Sequence, residues 1–190
     1  SAELAANSER IQRKLQTLES SIQATSTFIS WMGPEPAFVE REVLVEQWDS
    51  LYAIGFFSLQ RNAANDYLAS GQTEAAKNSD VRRAVSEWYS SGTALEEQYE
   101  RLRAAHENIS IYLQDTIPFL NTISANALMN DHPSSKFPFD QAAFLADSRL
   151  ESRMALFLIR MEFVVEQAEY LQKEQEDLEF LIEATVRNSD

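Results

Sequence analysis

The chain contains no cysteine. Disulfides, thiolate metal sites and thiol nucleophiles are therefore excluded. Glycine and proline are scarce, at 4 and 5 in 190 residues. Sandwiches and barrels need a turn every eight to twelve residues or so and build it from those two residue types, so the scarcity points to few, long elements. No apolar run reaches the roughly 18 residues that a spanning helix requires. Histidine is limited to His106 and His132. A di-iron bundle uses Glu-x-x-His pairs projecting inward. Arg103 stands three residues before His106 and Met129 three before His132, so no metal and no cofactor is expected. Basic residues are outnumbered, 16 Lys and Arg against 30 Asp and Glu, for a net charge of -14. Such a chain is repelled by phosphate backbones and anionic lipid. No basic stripe interleaves with aromatics, and nucleic acid is not expected as a partner.

Of the residues, 44% are hydrophobic, which is ordinary for a folded protein. Residues 1–190 are enough for a single domain with its own core. The apolar residues recur at helical spacing. From Leu4 the stripe runs Leu4, Ser8, Ile11, Leu15, Leu18, Ile22, Thr25, Ile29, Met32, with Asn7, Glu9, Arg10 and Arg13 off it. This predicts a helix over about 2–32, stopped by Gly33-Pro34. Residues 37–59 form the most apolar stretch, with Val43, Leu44, Trp48, Leu51, Ile54 and Phe57. It is expected as a second helix with a wide buried face, in which Gly55 marks a close approach or a break. A short helix over 63–70 ends at Gly71.

The longest pattern is Val81, Val85, Trp88, Gly92, Leu95, Tyr99, Leu102, His106, Ile109, Leu113, Thr116, Leu120, Ile123, Ala127. It predicts a helix over 79–129, roughly 70 Å long, kinked by Pro118 near Gln114. Asn130 to Pro138 reads as a loop. The last helix, 140–187, opens at a capping Asp140 and carries Ala143, Asp147, Leu150, Met154, Phe157, Met161, Val164, Ala168, Leu171, Gln175, Leu178 and Ile182 on its seam. Long helices with short connections become antiparallel neighbours. The fold class expected is all-α, an elongated antiparallel up-and-down four-helix bundle with one short extra helix.

Arg149, Arg153 and Arg160 are spaced by four and seven, which places them on one face of the last helix beside the Leu150–Met161 seam. Clustered guanidiniums beside an apolar face suit bidentate capture of a carboxylate or phosphate, and they equally suit ion pairs with a facing helix. His106, on the seam of the 79–129 pattern, is a candidate buried pH sensor or a register-setting hydrogen-bond partner. Asp131 and His132 lack a third ligand nearby. The acidic run Glu174, Glu176, Asp177, Glu179, Glu183 reads as a solvated face. Trp31, Trp48 and Trp88, with Tyr52, Tyr89 and Tyr99, read as core. No Gly-rich phosphate loop, nucleophile elbow or paired catalytic carboxylates are present; no catalytic residue is assigned and a non-enzymatic protein is expected.

The stretch Asn65-Asp66-Tyr67-Leu68-Ala69-Ser70-Gly71, followed by Asn78-Ser79-Asp80-Val81-Arg82-Arg83 and Trp88-Tyr89, resembles a family of uncharacterised bacterial proteins. In that family a Tyr-x-x-Leu-x-Ser-Ser-Gly element precedes an Asn-x-x-Leu-Arg element and an aromatic pair. Here Ala69 replaces the first Ser, and Trp88-Tyr89 stands where two Tyr are usual. The resemblance implies a single N-terminal transmembrane helix upstream of Ser1 and a helical domain on the periplasmic side of the bacterial inner membrane. The chain opens on Ser1-Ala2 rather than Met, which suits that expectation.

Three functions remain in view: an extracytoplasmic scaffold or ligand sensor on a membrane anchor, a cytosolic helical adaptor that pairs through the 37–59 segment, and a small-anion binder at Arg149, Arg153 and Arg160. A homodimer or a protein partner is compatible with the unbroken seams.

Overall fold

In the computed structural model the described residues are 2–51, 54–70, 79–116 and 138–187. Among them the fold is all-α, without a strand. The helices are α1 (Ala2–Ser30), α2 (Arg41–Leu51), α3 (Asn62–Ser70), α4 (Ser79–Thr116), α5 (Gln141–Leu145) and α6 (Ser148–Arg187). No helix among the described residues is long and apolar enough to cross a membrane. Residues 117–129 of the predicted 79–129 helix, the Pro118 kink, Asp131, His132 and most of the 130–138 loop lie outside the described residues.

The chain divides into two compact units. The first comprises Ser1–Gln16, Phe56–Glu100 and Phe163–Asp190; the second comprises Thr17–Gly55 and Arg101–Glu162.

In the first unit the core is Leu4 and Ile11 of α1, Val81, Val85, Trp88, Leu95 and Tyr99 of α4, and Val164, Ala168, Leu171 and Leu178 of α6. Two polar side chains join them, Asn7 at 0% exposure and Gln175 at 2%. Asn7 was expected off the α1 stripe, with Ser8 on it. The observed buried line is Leu4, Asn7, Ile11, one residue around the helix, because the Asn7 amide has a partner inside. Its Nδ2 donates to the Gln60 carbonyl at 2.7 Å, and its Oδ1 accepts from the Gln60 N–H at 2.9 Å. Gln175 Nε2 donates to the Leu4 carbonyl at 2.6 Å. The Asn7 amide, with both of its backbone partners in place, avoids the desolvation penalty that would otherwise exclude it; the Gln175 Oε1 is buried without a partner among the described residues.

In the second unit the seam positions Leu102, Ile109 and Leu113 of α4 and Leu150, Met154, Phe157 and Met161 of α6 are all buried, as their spacing predicts. Phe28 is fully buried; its ring lies 5.4 Å from that of Trp48 and 5.9 Å from that of Phe144. Tilted and edge-on contacts of this kind stabilise beyond the area they bury.

Three predicted boundaries move. Helix α1 closes at Ser30; Gly33, at φ 148, carries the turn, and its N–H donates to the Leu145 carbonyl at 3.0 Å. Of the helix predicted over 37–59, Arg41–Leu51 is helical while residues 37–40 and 55–59 are not, and Gly55, at φ 51, breaks the course of the chain. That left-handed conformation is one that glycine adopts without a Cβ clash. The single helix predicted over 140–187 is two. Asp140 caps only α5, its side chain accepting from the Ala143 N–H. Asp147, expected on the seam, caps α6 instead, its Oδ1 accepting from the N–H groups of Arg149 at 2.9 Å and Leu150 at 3.3 Å. A carboxylate at this position satisfies otherwise orphaned donors and complements the positive end of the helix.

Candidate functional site

The cavity of interest lies in the first unit and rests on a non-helical stretch, residues 56–61, held by side chains from the helices around it. Asn7 pins Gln60 from α1. Glu96 of α4 accepts the Leu59 N–H through Oε1 at 2.8 Å, and its Oε2 pairs with Arg61 Nη2 at 2.9 Å. Arg61 Nη1 also donates to Thr93 Oγ1 at 3.1 Å, and the guanidinium stacks over the Tyr89 ring at 4.8 Å. Gly92 makes room for this arrangement: a Cβ there would meet Leu59 Cδ1 at 2.8 Å and Arg61 Nη2 at 3.1 Å.

So positioned, the chain enters α3 with Ala63 and Ala64 side by side. The Ala63 N–H, one of the free donors of the first turn, is taken by Glu3 Oε2 at 2.9 Å. At the other end of α3, Arg82 Nη2 donates to the Leu68 carbonyl at 3.2 Å.

The two alanines are small and leave space beside the larger side chains of the facing helices. The result is a cavity of about 250 Å³. Its walls are Leu4 from α1, Ala63, Ala64 and Tyr67 from α3, Val81, Val85 and Trp88 from α4, and Leu178, Ile182 and Val186 from α6; Glu3 and Thr185 add polar groups. Among the described residues no basic side chain contributes to the lining. Trp88 is 1% exposed, and its indole Nε1 is buried without a hydrogen-bond partner among the described residues. Apolar cavities of about 150 Å³ stay dry and accept benzene-sized guests, so this one is large enough for a ligand.

The residues singled out from the sequence lie elsewhere. Arg149, Arg153, Arg160 and His106 all belong to the second unit, and none of them lines the cavity. Arg149 is exposed beside the Asp147 cap. Arg153 places its guanidinium 4.6 Å over the Tyr112 ring. Tyr112 in turn donates its hydroxyl to Asp147 Oδ2 at 2.6 Å. Burial pushes the Asp147 carboxyl up, but the bonds from Tyr112, Arg149 N–H and Leu150 N–H, with the Arg149 charge, hold it below the usual carboxylate value. The bond to Asp147, burial and the carboxylate charge raise the Tyr112 hydroxyl, against the smaller opposing pull of Arg149 and Arg153. Arg149 and Arg153 thus flank a capped helix start; Arg160 is half-buried further along α6. His106 is half-buried with its ring 5.7 Å from that of Phe157, and burial lowers its pKa.

Glu176, Asp177 and Glu183 of the acidic run face solvent. Among the described residues no three His, Cys, Asp or Glu side chains gather as a metal site. Trp88, read as core, is both core and cavity wall. Ala63 and Ala64 are the small residues of the cavity wall, but residue types alone do not mark a cavity there.

No protein-family model, no curated protein and no solved structure matches this chain at a significant level.

Proposed function

We propose that this chain is a non-enzymatic, extracytoplasmic helical domain of a membrane-anchored bacterial protein, and that it senses a small apolar ligand held between α1, α3, α4 and α6 of the first unit. The observation that carries the reading is the 250 Å³ cavity, lined almost wholly by hydrocarbon. Sites for small molecules are concave, mostly apolar and largely pre-formed, with few polar groups. Glu3, the one carboxylate among the described lining residues, already accepts the Ala63 N–H. The described lining residues offer neither a nucleophile beside a base nor a pair of facing carboxylates, the arrangements that hydrolytic and acid–base chemistry use.

The membrane anchor and periplasmic placement rest on the resemblance of the Tyr67–Gly71 and Asn78–Arg83 elements, and an up-and-down order of the four major helices goes with them. A bundle on an anchor passes small helix shifts along its length, which suits sensing.

The test is a thermal-shift and calorimetric screen with small hydrophobic probes, indole, naphthalene and 1-octanol. Stabilisation that grows with probe concentration supports the reading; flat melting curves with all three refute it. Placement is tested on the full-length protein: membrane fractionation with protease access from the periplasmic side supports the anchor, and a soluble cytoplasmic protein removes it.

The adaptor reading is favoured by Phe38 and Phe56, at 93% and 77% exposure. It is weakened by Leu44, Trp48, Leu51 and Ile54 of the same segment, which are buried within the second unit. For the anion reading, Arg153 is already engaged with an aromatic ring.

A further inference from the structure

The walls of the cavity limit the chemistry of what fills it, and the following rests on the ligand-sensing reading above. On α4 the lining residues are Val81, Val85 and Trp88; on α6 they are Leu178, Ile182, Thr185 and Val186. The α4 series spans eight residues and the α6 series nine, about 10–12 Å of wall at 1.5 Å per step. The cavity volume of about 250 Å³ is shared along walls of that length. The same volume scaled from benzene in a cavity of about 150 Å³ holds about ten carbon atoms.

Charge decides the other end of the ligand. Among the described residues the lining contains no Lys, Arg or His and one acid, Glu3. The exposed N–H groups at a helix start are the usual resting place for an anionic head group. At the start of α3 that position is taken: Glu3 Oε2 accepts the Ala63 N–H at 2.9 Å. An incoming carboxylate or phosphate meets a like charge where it would need a donor, with no cation among the described lining residues to offset the loss of water.

We infer that the cavity takes a single aliphatic chain of about ten carbons carrying an uncharged head group, and that Glu3 excludes fatty acids and other anionic amphiphiles of the same length.

The experiment is calorimetric titration of the full chain with 1-alkanols from six to twelve carbons, and with the matching alkanoates at pH 7. Affinity for the alkanols is expected to rise about fourfold per added methylene and to level off near ten carbons, where the cavity is full. Alkanoates are expected to bind at least tenfold more weakly at equal length. Glu3→Gln keeps an acceptor for the Ala63 N–H while removing the charge, and it is expected to narrow that gap. Ala63→Leu, at an exposed position of α3 that is part of the lining, is expected to move the plateau to shorter chains with helix content unchanged by circular dichroism. A series with no plateau, a plateau unmoved by Ala63→Leu, or alkanoates that bind the unaltered chain as tightly as alkanols would each overturn the inference. If indole or naphthalene binds while no alkanol does, the aliphatic assignment falls and the sensing reading stands. If nothing binds, both fall.

Discussion

Replacing Asn7 by alanine tests whether the first unit is held by the contact pair that the structure places at its centre. Asn7 is fully buried and bonds both the N–H and the carbonyl of Gln60, 53 residues away in sequence. Two such bonds contribute about 1 kcal/mol each in net terms, and a stranded backbone partner adds to the loss. Because water reaches part of the Gln60 side, the expected cost is about 2–4 kcal/mol. Chemical denaturation measures it. Amide exchange localises it, with Gln60 N–H losing protection by about thirtyfold or more. Ser8→Ala is the control, since the sequence pattern alone places Ser8, not Asn7, inside; less than about 0.5 kcal/mol is expected there. Asn7→Asp sharpens the test. A protonated Asp reproduces the donor and acceptor of the amide, whereas the ionised form is opposed both by burial and by the Gln60 carbonyl. Its folded pKa is thereby raised above the unfolded value, so the stability of that variant is greatest in acid and is lost as pH rises through the folded pKa. An Asn7→Ala protein within 0.5 kcal/mol of the parent, with Gln60 still protected, would refute the reasoning.

Other expectations follow from the second unit. Burial lowers the His106 pKa from its ordinary 6.5, so the unfolded chain binds the proton first and His106 costs stability as pH falls below about 6.5; His106→Phe should flatten that part of the stability profile relative to the parent in pH-dependent denaturation. Tyr112→Phe removes a 2.6 Å bond to Asp147 and is expected to cost about 1 kcal/mol. Asp147 is held below its ordinary 3.8, so its contribution is present at neutral pH and lost in acid. In Tyr112→Phe that acid loss should be smaller, as read from urea midpoints between pH 2 and 5. Phe28→Ala empties the centre of the Trp48–Phe144 cluster and should cost about 3–5 kcal/mol in the same assay.

The seams were legible in the sequence because burial along a helix repeats with the helical turn. Leu102, Ile109, Leu113, Met154 and Phe157 are all buried where their spacing places them. What periodicity does not encode is contact between segments distant in the chain. Asn7 looks like a surface residue until Gln60 is beside it. The start of α6 was readable by another rule: Ser148-x-x-Glu151 after Asp147 has the spacing of a capping box, a local signal masked because Ala143, Asp147 and Leu150 also fit the seam. The break at Gly55 was open from the sequence, since a glycine in an apolar run fits both a close approach and a bend. The cavity was not legible, because a void is set by the distance between backbones, and residue types alone do not fix that distance.

The stretch 56–61 has no helix of its own and takes its course from Asn7, Thr93 and Glu96 on neighbouring helices. Tolerance to change is therefore inverted with respect to the usual rule for connections. The exposed Ser58 and Gln60 side chains are free to vary, since it is their main chain that is gripped. The ordinary-looking helical positions 7 and 96 are the ones that admit few substitutes, and drift at either would release the platform on which α3 closes the cavity.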